Sequence, residues 1–232
     1  MNKAKVGLIQ TYTGSGKGKS TSAFGLAFRA VGQDWNILIA QFMKGDSSTE
    51  KMYGELKSCR IFNNNITVVQ SHDKVPYKVI LEHNKTDEDK ILVREAWLSM
   101  IDELHQGKAK KDVRAADWVE EYHQPYNMLI LDEILGTLNL SLISQKTFFD
   151  FIRQIKEERP DLEIVLTGRM WSEPLYDKIK DISDLMSDVR CVRHYFEKHC
   201  STCKRSFEFR SNYCPNCGNE LTTIPVRRGI EF

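Results

Sequence analysis

Thr13-Gly14-Ser15-Gly16-Lys17-Gly18-Lys19-Ser20-Thr21 follows closely on the apolar run Val6 to Ile9 and leads into the helix-compatible stretch Thr21–Val31. A strand that breaks into a glycine-rich turn and then starts a helix is a phosphate cradle. Successive backbone N–H groups point inward at an anion, and the helix N-terminus adds partial positive charge. In this reading Lys19 reaches the outer phosphates and the Ser20 hydroxyl offers a ligand to Mg2+. The usual spacing puts a glycine five positions before Gly18, where this chain carries Thr13 with Gly14 next to it. A plain polar loop is the alternative, but it would rarely combine Lys-Ser after the last glycine with a strand before and a helix after. The expectation is a nucleoside triphosphate site, with Thr13 to Thr21 around the phosphates.

Composition bounds the rest. With 232 residues, 41% of them hydrophobic and 28% charged, the chain can bury one sizeable core and carry a small appendage. No apolar stretch approaches the ~20 residues of a membrane span. The start Met1-Asn2-Lys3-Ala4-Lys5 runs into a short strand rather than a secretory leader, so a cytoplasmic protein is expected. A formal charge of +1 gives no general reason to expect nucleic acid as a partner. Only the tail is biased: Arg190 to Phe232 holds eight Lys/Arg against four Asp/Glu.

Short apolar runs recur between helical stretches. Strands are expected at Val6–Thr11, Asn36–Phe42, Ile66–Gln70, Met128–Leu131 and Glu163–Thr167, with a weaker one at Val189–Tyr195. Helices are expected at Thr21–Val31, Asp87–His105 and Ser144–Arg159, the last stopped by Pro160. This alternation predicts an α/β fold of the P-loop NTPase kind, a mostly parallel sheet flanked by helices. Ligands bind beyond the carboxyl ends of such strands. The residues there are the phosphate loop, Lys44-Gly45, Ser71-His72-Asp73, Asp132-Glu133 and Gly168-Arg169.

Met128-Leu129-Ile130-Leu131-Asp132-Glu133 is an apolar strand ending in two carboxylates. Alone, such a pair could cap a helix. Beside a phosphate loop, it supplies the hard oxygens that, with Ser20 and the phosphates, hold Mg2+.

The tail carries a second pattern: Cys200-Ser201-Thr202-Cys203, ten residues, then Cys214-Pro215-Asn216-Cys217-Gly218. Two Cys-x-x-Cys knuckles with this spacing predict a zinc ribbon in which Cys200, Cys203, Cys214 and Cys217 close a tetrahedral structural Zn2+ site. Disulfides or a redox dithiol are the alternatives, the first disfavoured by a reducing cytosol. Four thiolates around zinc carry net negative two, which offsets half of the tail's positive excess. Cys59 and Cys191 read as ordinary buried thiols, and His199 as an exposed neighbour of the cluster. The expected division is 1–196 for the nucleotide-binding unit, 197–224 for the ribbon and 225–232 for a C-terminal tail.

These residues resemble the ATP:corrinoid adenosyltransferases. The opening loop followed by Ala23-Phe24-Gly25 is similar to that family's opening, displaced glycine included. Gln41-Phe42-Met43-Lys44-Gly45, Leu131-Asp132-Glu133, Leu166-Thr167-Gly168-Arg169 and the ending Arg228-Gly229-Ile230-Glu231-Phe232 look like further family segments. The likeness covers roughly residues 5–196 and the last few, and the ribbon looks like an insertion. Where the family carries Gly-Phe-Thr-Trp, with aromatics that pack on the corrinoid, this chain has Gln70-Ser71-His72-Asp73-Lys74-Val75. Tyr77 and Trp97 are the candidate replacements, and His72 is either a cobalt ligand or a polar loop histidine.

The resemblance implies displacement at C5′ of ATP by the Co(I) of a reduced corrinoid, with triphosphate leaving. Cobalt is the nucleophile, so no protein base is required. Catalysis rests on alignment and on neutralising the leaving group through Lys19, Mg2+ held by Ser20, Asp132 and Glu133, and the loop amides. Lys17 adds a nearby cation or sits in solvent, and Arg169 touches phosphate or corrinoid or forms an ion pair. A homodimer and a reductase protein supplying Co(I) are the implied partners. Two other readings stay open. One is a deoxynucleoside kinase similar to the zinc-containing thymidine kinases, although those follow Asp-Glu with Ala-Gln-Phe and this chain has Ile134-Leu135-Gly136. The other is a non-catalytic ATP-binding module whose ribbon grips a partner.

Overall fold

Strand β1 (Ile9–Thr13) and helix α1 (Lys19–Val31) flank the glycine-rich loop, and β2 (Ile37–Gly45), α2 (Gly54–Ile61) and β3 (Ile66–His72) follow. Helix α3 (Asp87–Gln106) leads into β4 (Lys108–Ala115) and β5 (Trp118–Gln124), and then come β6 (Met128–Asp132), α4 (Ile134–Asn139), α5 (Gln145–Glu158), β7 (Glu163–Thr167), α6 (Glu173–Ile182) and β8 (Leu185–Asp188). Three two-residue strands close the order, β9 (Lys198–His199), β10 (Ser206–Phe207) and β11 (Thr222–Thr223). The structure is a computed structural model, and the residues it describes are 6–45, 53–72, 80–115, 118–191, 198–204, 206–207, 213–214 and 216–223.

Six strands form one sheet in the order β3-β2-β6-β7-β1-β8, and every pairing in it is parallel. Central β6 is buried along its whole length, as expected of a parallel strand covered on both faces. The faces separate by the two-residue period of a strand. Leu38, Ala40 and Phe42 of β2 join Val93, Trp97 and Met100 of α3 and Phe148, Ile152 and Ile155 of α5 in the larger core. Ile37 and Ile39 turn the other way, onto Ala23, Ala27 and Ala30 of α1 and Cys59 of α2. The architecture is the expected mostly parallel sheet flanked by helices. Among the described residues no helix is long and apolar enough to cross a membrane.

Local capping explains where two helices begin. Thr86 and Asp89 form a capping box: Thr86 Oγ1 accepts from Asp89 N at 3.2 Å, and Asp89 Oδ2 accepts from Thr86 N at 2.7 Å. Ser144 Oγ accepts from Thr147 N at 3.0 Å at the head of α5, which ends just before Pro160. Thr86→Ala is expected to cost about 1 kcal/mol, since it removes one cap and leaves buried Asp89 with fewer donors. A urea melt with an unchanged midpoint would contradict it.

Three features depart from the sequence reading. The sixth strand is β8 at Leu185–Asp188, not Val189–Tyr195, of which 192–195 lie outside the described residues. It pairs with β1 from Gln10↔Leu185 to Thr13↔Asp188 at an exposed edge, so it needs no apolar run to mark it. The antiparallel hairpin β4–β5, rich in charge, also escapes hydrophobic periodicity, as do α2 and α6. Strand β1 starts three residues later than expected and extends to Thr13. The closing segment Arg228–Phe232 and Tyr77 lie outside the described residues.

Candidate functional site

The carboxyl ends of β1, β2, β6 and β7 lie level, because Tyr12 pairs with Thr167, Leu131 with Leu166 and Gln41 with Asp132. The glycine-rich loop leaves this edge from Thr13, which is buried and paired to Asp188. Gly14 has φ +102°, and a Cβ there would lie 2.2 Å from Asp188 Oδ1 and 2.5 Å from the Val189 carbonyl. Space and backbone conformation thus both demand glycine one position later than the usual motif, which accounts for Thr13. Gly16 N donates to the Val189 carbonyl at 2.6 Å and Cys191 N to Ser15 Oγ at 3.3 Å, so the segment after β8 braces the loop. Cys191 is therefore a half-buried neighbour of the loop rather than a core thiol, whereas Cys59 is buried and its thiol is pushed up to about 12 by burial.

Lys19 is the first residue of α1, is buried, and curls back so that Nζ donates to the Gly16 carbonyl at 2.6 Å. Burial holds its pKa below the usual lysine value, against the pull of Glu133 and Asp132. Ser20 Oγ lies beside it in the first turn, Thr21 and Lys17 are exposed, and Gly18 is in the left-handed region at φ +119°.

The two carboxylates of the β6 end have different surroundings. Asp132 is fully buried; its Oδ1 accepts from Thr167 Oγ1 at 2.6 Å and its Oδ2 from Gln41 Nε2 at 3.0 Å and Lys44 Nζ at 2.8 Å. Gln70 Nε2 in turn donates to Gln41 Oε1 at 2.8 Å. Burial works to raise the Asp132 pKa, but the Lys44 ammonium and these donors hold it below the usual carboxylate range. Glu133 stands at the N-cap position of α4 with φ +62°, yet its side chain makes no capping bond, so the pair is not a helix cap. Its carboxylate accepts no hydrogen bond among the described residues, and burial followed by the Asp132 charge pushes its pKa up. One carboxylate is thus saturated with donors, and the other keeps open lone pairs beside Lys19 and Arg169.

That contrast has a sign. A raised folded-state pKa means that ionised Glu133 destabilises the fold above its ordinary value of 4.5. Glu133→Gln is expected to raise the thermal midpoint by a few degrees at pH 7, with the gain shrinking to nothing as pH falls below 4.5. A Gln variant that melts lower at neutral pH would contradict this.

Lys44 is named in the sequence only as one of several residues that follow a strand, and its place between Ser20 and Asp132 is not legible there. The β2–β3 register shifts between Gln41 and Gly45, and Met43 adopts φ +58° with its N–H held by Ser71 Oγ at 3.0 Å. This bulge turns Lys44 inward, where Nζ donates to Ser20 Oγ at 2.9 Å as well as to Asp132. Arg169 is exposed at the end of β7; its carbonyl accepts from Asn139 Nδ2 at 2.9 Å, and its charge acts on Lys19 and Glu133.

The expected aromatic replacement is corrected in one case. Trp97 is buried in the core, with ring centroids 6.3 Å from Phe42 and 5.0 Å from Phe151, so it presents no face to a ligand. The helical period that makes it visible is that of a core position. His72 ends β3, paired through Gly45, and its side chain is outside the described set.

In the tail, β9 pairs with both β10 and β11, and the four thiol sulfurs of Cys200, Cys203, Cys214 and Cys217 lie within 4.8 Å of one another. Cys200–Cys217 at 3.5 Å and Cys203–Cys214 at 3.8 Å are too long for disulfides. Sulfurs at 2.3 Å from a tetrahedral ion would be roughly 3.8 Å apart, so the cluster fits zinc. Cys203 N donates to Cys200 Sγ at 3.3 Å, and Gly218 at φ +72° makes the second knuckle.

The parallel sheet with its braced glycine loop and carboxylate strand defines a P-loop-type α/β protein. A family model described as ATP:corrinoid adenosyltransferase BtuR/CobO/CobP matches residues 5–209. The chain belongs to that family. An uncharacterized protein of Nostoc sp. is 30% identical over 193 residues, covering 81% of this chain and 44% of that protein, so the chain spans less than half of that relative. Corrinoid adenosyltransferases of Sinorhizobium sp. and Escherichia coli K12 are 28% and 26% identical over 197 residues each, covering 82% of this chain and 75% and 80% of theirs. Among solved structures, the flagellar accessory protein FlaH from Methanocaldococcus jannaschii gives a TM-score of 0.50 at 13% identity, over 78% of this chain and 70% of that one. That likeness concerns the fold alone.

Proposed function

We propose that this chain transfers the 5′-deoxyadenosyl group of ATP to the Co(I) of a reduced corrinoid and releases triphosphate. The observation that carries the reading is the convergence of Lys19, Ser20, Asp132 and Glu133 at one sheet edge, in a chain of this family. The cobalt–carbon bond forms from the lone pair of Co(I), and the C5′–oxygen bond breaks with its electrons passing to the triphosphate. No side chain has to move a proton. The loop amides other than that of Gly16, which is bonded to the Val189 carbonyl, and the Lys19 ammonium orient the polyphosphate and take up charge as it leaves. Ser20 and the open carboxylate of Glu133 are hard-oxygen donors suited to Mg2+, which when bound would neutralise leaving-group charge. Asp132, positioned by its bonds to Thr167 and Gln41, is the third oxygen donor of that cluster, with the Lys44 ammonium on one of its oxygens. Arg169, exposed at the mouth, adds a cation for phosphate or corrinoid.

In the same reading the protein is cytoplasmic, works as a homodimer and receives its Co(I) corrinoid from a reductase. Residues 1–196 form the transferase unit, 197–224 a ribbon held by structural Zn2+, and 225–232 a tail.

Incubation with ATP, Mg2+ and chemically reduced cobalamin should produce the adenosylated absorption spectrum and one triphosphate per turnover. Phosphorylated thymidine in a parallel assay, or ATP binding without either product, would refute the assignment.

A further inference from the structure

Lys44 occupies an unusual place for an ammonium. Among the described residues its hydrogen bonds go to Ser20 Oγ at 2.9 Å and Asp132 Oδ2 at 2.8 Å, which are the loop hydroxyl and the strand carboxylate that such folds offer to a divalent ion. Each bond uses a lone pair that metal ligation would need. An ammonium is a compact point charge on a flexible stem, so it can fill such a position and leave it. The chain departs from regular strand geometry to put it there: Met43 sits at φ +58°, a left-handed conformation that is strained for a non-glycine residue. Ser71 pins that backbone through Met43 N. A second resting place lies next to the first. Glu55, at the start of α2, has Oε1 3.9 Å from Lys44 Nζ, and the Tyr53 ring centroid is 5.9 Å away.

We propose that Lys44 is a tethered competitor for the divalent cation. Its ammonium holds Ser20 and Asp132, gives them up when Mg2+ enters with the polyphosphate, and then pairs with Glu55. Asp132 does not become unpaired in the exchange, because Gln41 and Thr167 continue to donate to it. The device weakens binding of bare metal, so that occupancy of the site needs the additional ligands of the polyphosphate. It rests on the reading that the loop takes Mg2+-ATP.

The test is a titration of the full chain with Mn2+, followed by its EPR signal, with and without ATP. Without nucleotide, Lys44→Met is expected to bind Mn2+ about tenfold more tightly than wild type, the scale of one charge-assisted hydrogen bond. Glu55→Gln is expected to bind it several-fold more weakly, because the displaced ammonium loses its partner. The double variant should match Lys44→Met. Lys44→Arg, which keeps the charge, should show no tightening, and thermal melts report whether each variant is folded. Equal or weaker Mn2+ binding by folded Lys44→Met, or a Glu55→Gln variant indistinguishable from wild type, would overturn the exchange while leaving the nucleotide site standing. A wild-type chain that takes no Mn2+ even with ATP would remove the underlying site as well.

Discussion

Lys19→Ala is expected to lower adenosyl transfer about a thousandfold, equivalent to roughly 4 kcal/mol of transition-state stabilisation, in a protein that stays folded. Triphosphate is a highly charged leaving group, and a buried ammonium stabilises it more strongly than a solvated one. The bond of Lys19 to the Gly16 carbonyl places Nζ over the loop rather than in solvent. Folding should survive, because burial without a direct carboxylate contact already works against the charged side chain. Alanine also suits the first turn of α1. Single-turnover measurements at saturating ATP separate lost chemistry from lost binding, and circular dichroism checks the fold. Lys19→Arg should fail almost as badly, since a planar guanidinium cannot repeat the tight curl over Gly16. Undiminished turnover by the alanine variant would remove the loop from the reaction.

Cys214→Ser, or stripping of metal with a chelator, is expected to unfold the segment 198–223 while the main sheet melts at its original midpoint. Structural zinc contributes on the order of 10–16 kcal/mol to small thiolate-bound modules. The described part of this segment has little else: two-residue strands and a cluster of Cys200, Cys214 and Leu221. Both knuckles depend on cysteine positions, with Gly218 N bonded to the Cys214 carbonyl at 2.8 Å and Lys204 N to the Cys200 carbonyl at 3.0 Å. The six-stranded sheet has its own two cores and does not draw on that cluster. Limited proteolysis should therefore cut the tail after chelation and spare the rest, and acid should release metal as the thiolates protonate. Global unfolding on metal removal would refute the independence, and a purified chain with no zinc whose tail ignores chelator would refute the metal.

Much of the sheet is legible in the sequence because its inner strands are apolar runs. Met128–Asp132 and Glu163–Thr167 are buried on both faces, and their composition alone is enough to mark them as such. Strand β8 cannot be read that way. Its edge position leaves three of four residues exposed, so nothing selects apolar side chains there. The hairpin of β4 and β5 is charged in sequence and carries no hydrophobic period, and its long-range support includes Lys108 Nζ bonded to Thr67 Oγ1 at 3.1 Å and Lys110 Nζ to the Asn64 carbonyl at 2.6 Å. Trp97 fails in the opposite direction: an aromatic near a chemically interesting stretch is open to a ligand reading, and its neighbours Phe42 and Phe151 make it core.

The amino-acid string by itself determined the glycine-rich turn, the strand that ends in two carboxylates, and the paired cysteine knuckles. Each is local, since turn conformation, burial period and thiol spacing depend on residues a few positions apart. Tertiary structure alone decided which carboxylate is saturated and which is open, that Lys44 stands between Ser20 and Asp132, and that Asp188 and Val189 make Gly14 the obligatory glycine. Those outcomes depend on partners from distant parts of the chain, 88 positions apart for Lys44 and Asp132. A hydrogen-bond donor or a buried charge acquires its role only when folding removes water and supplies the partner.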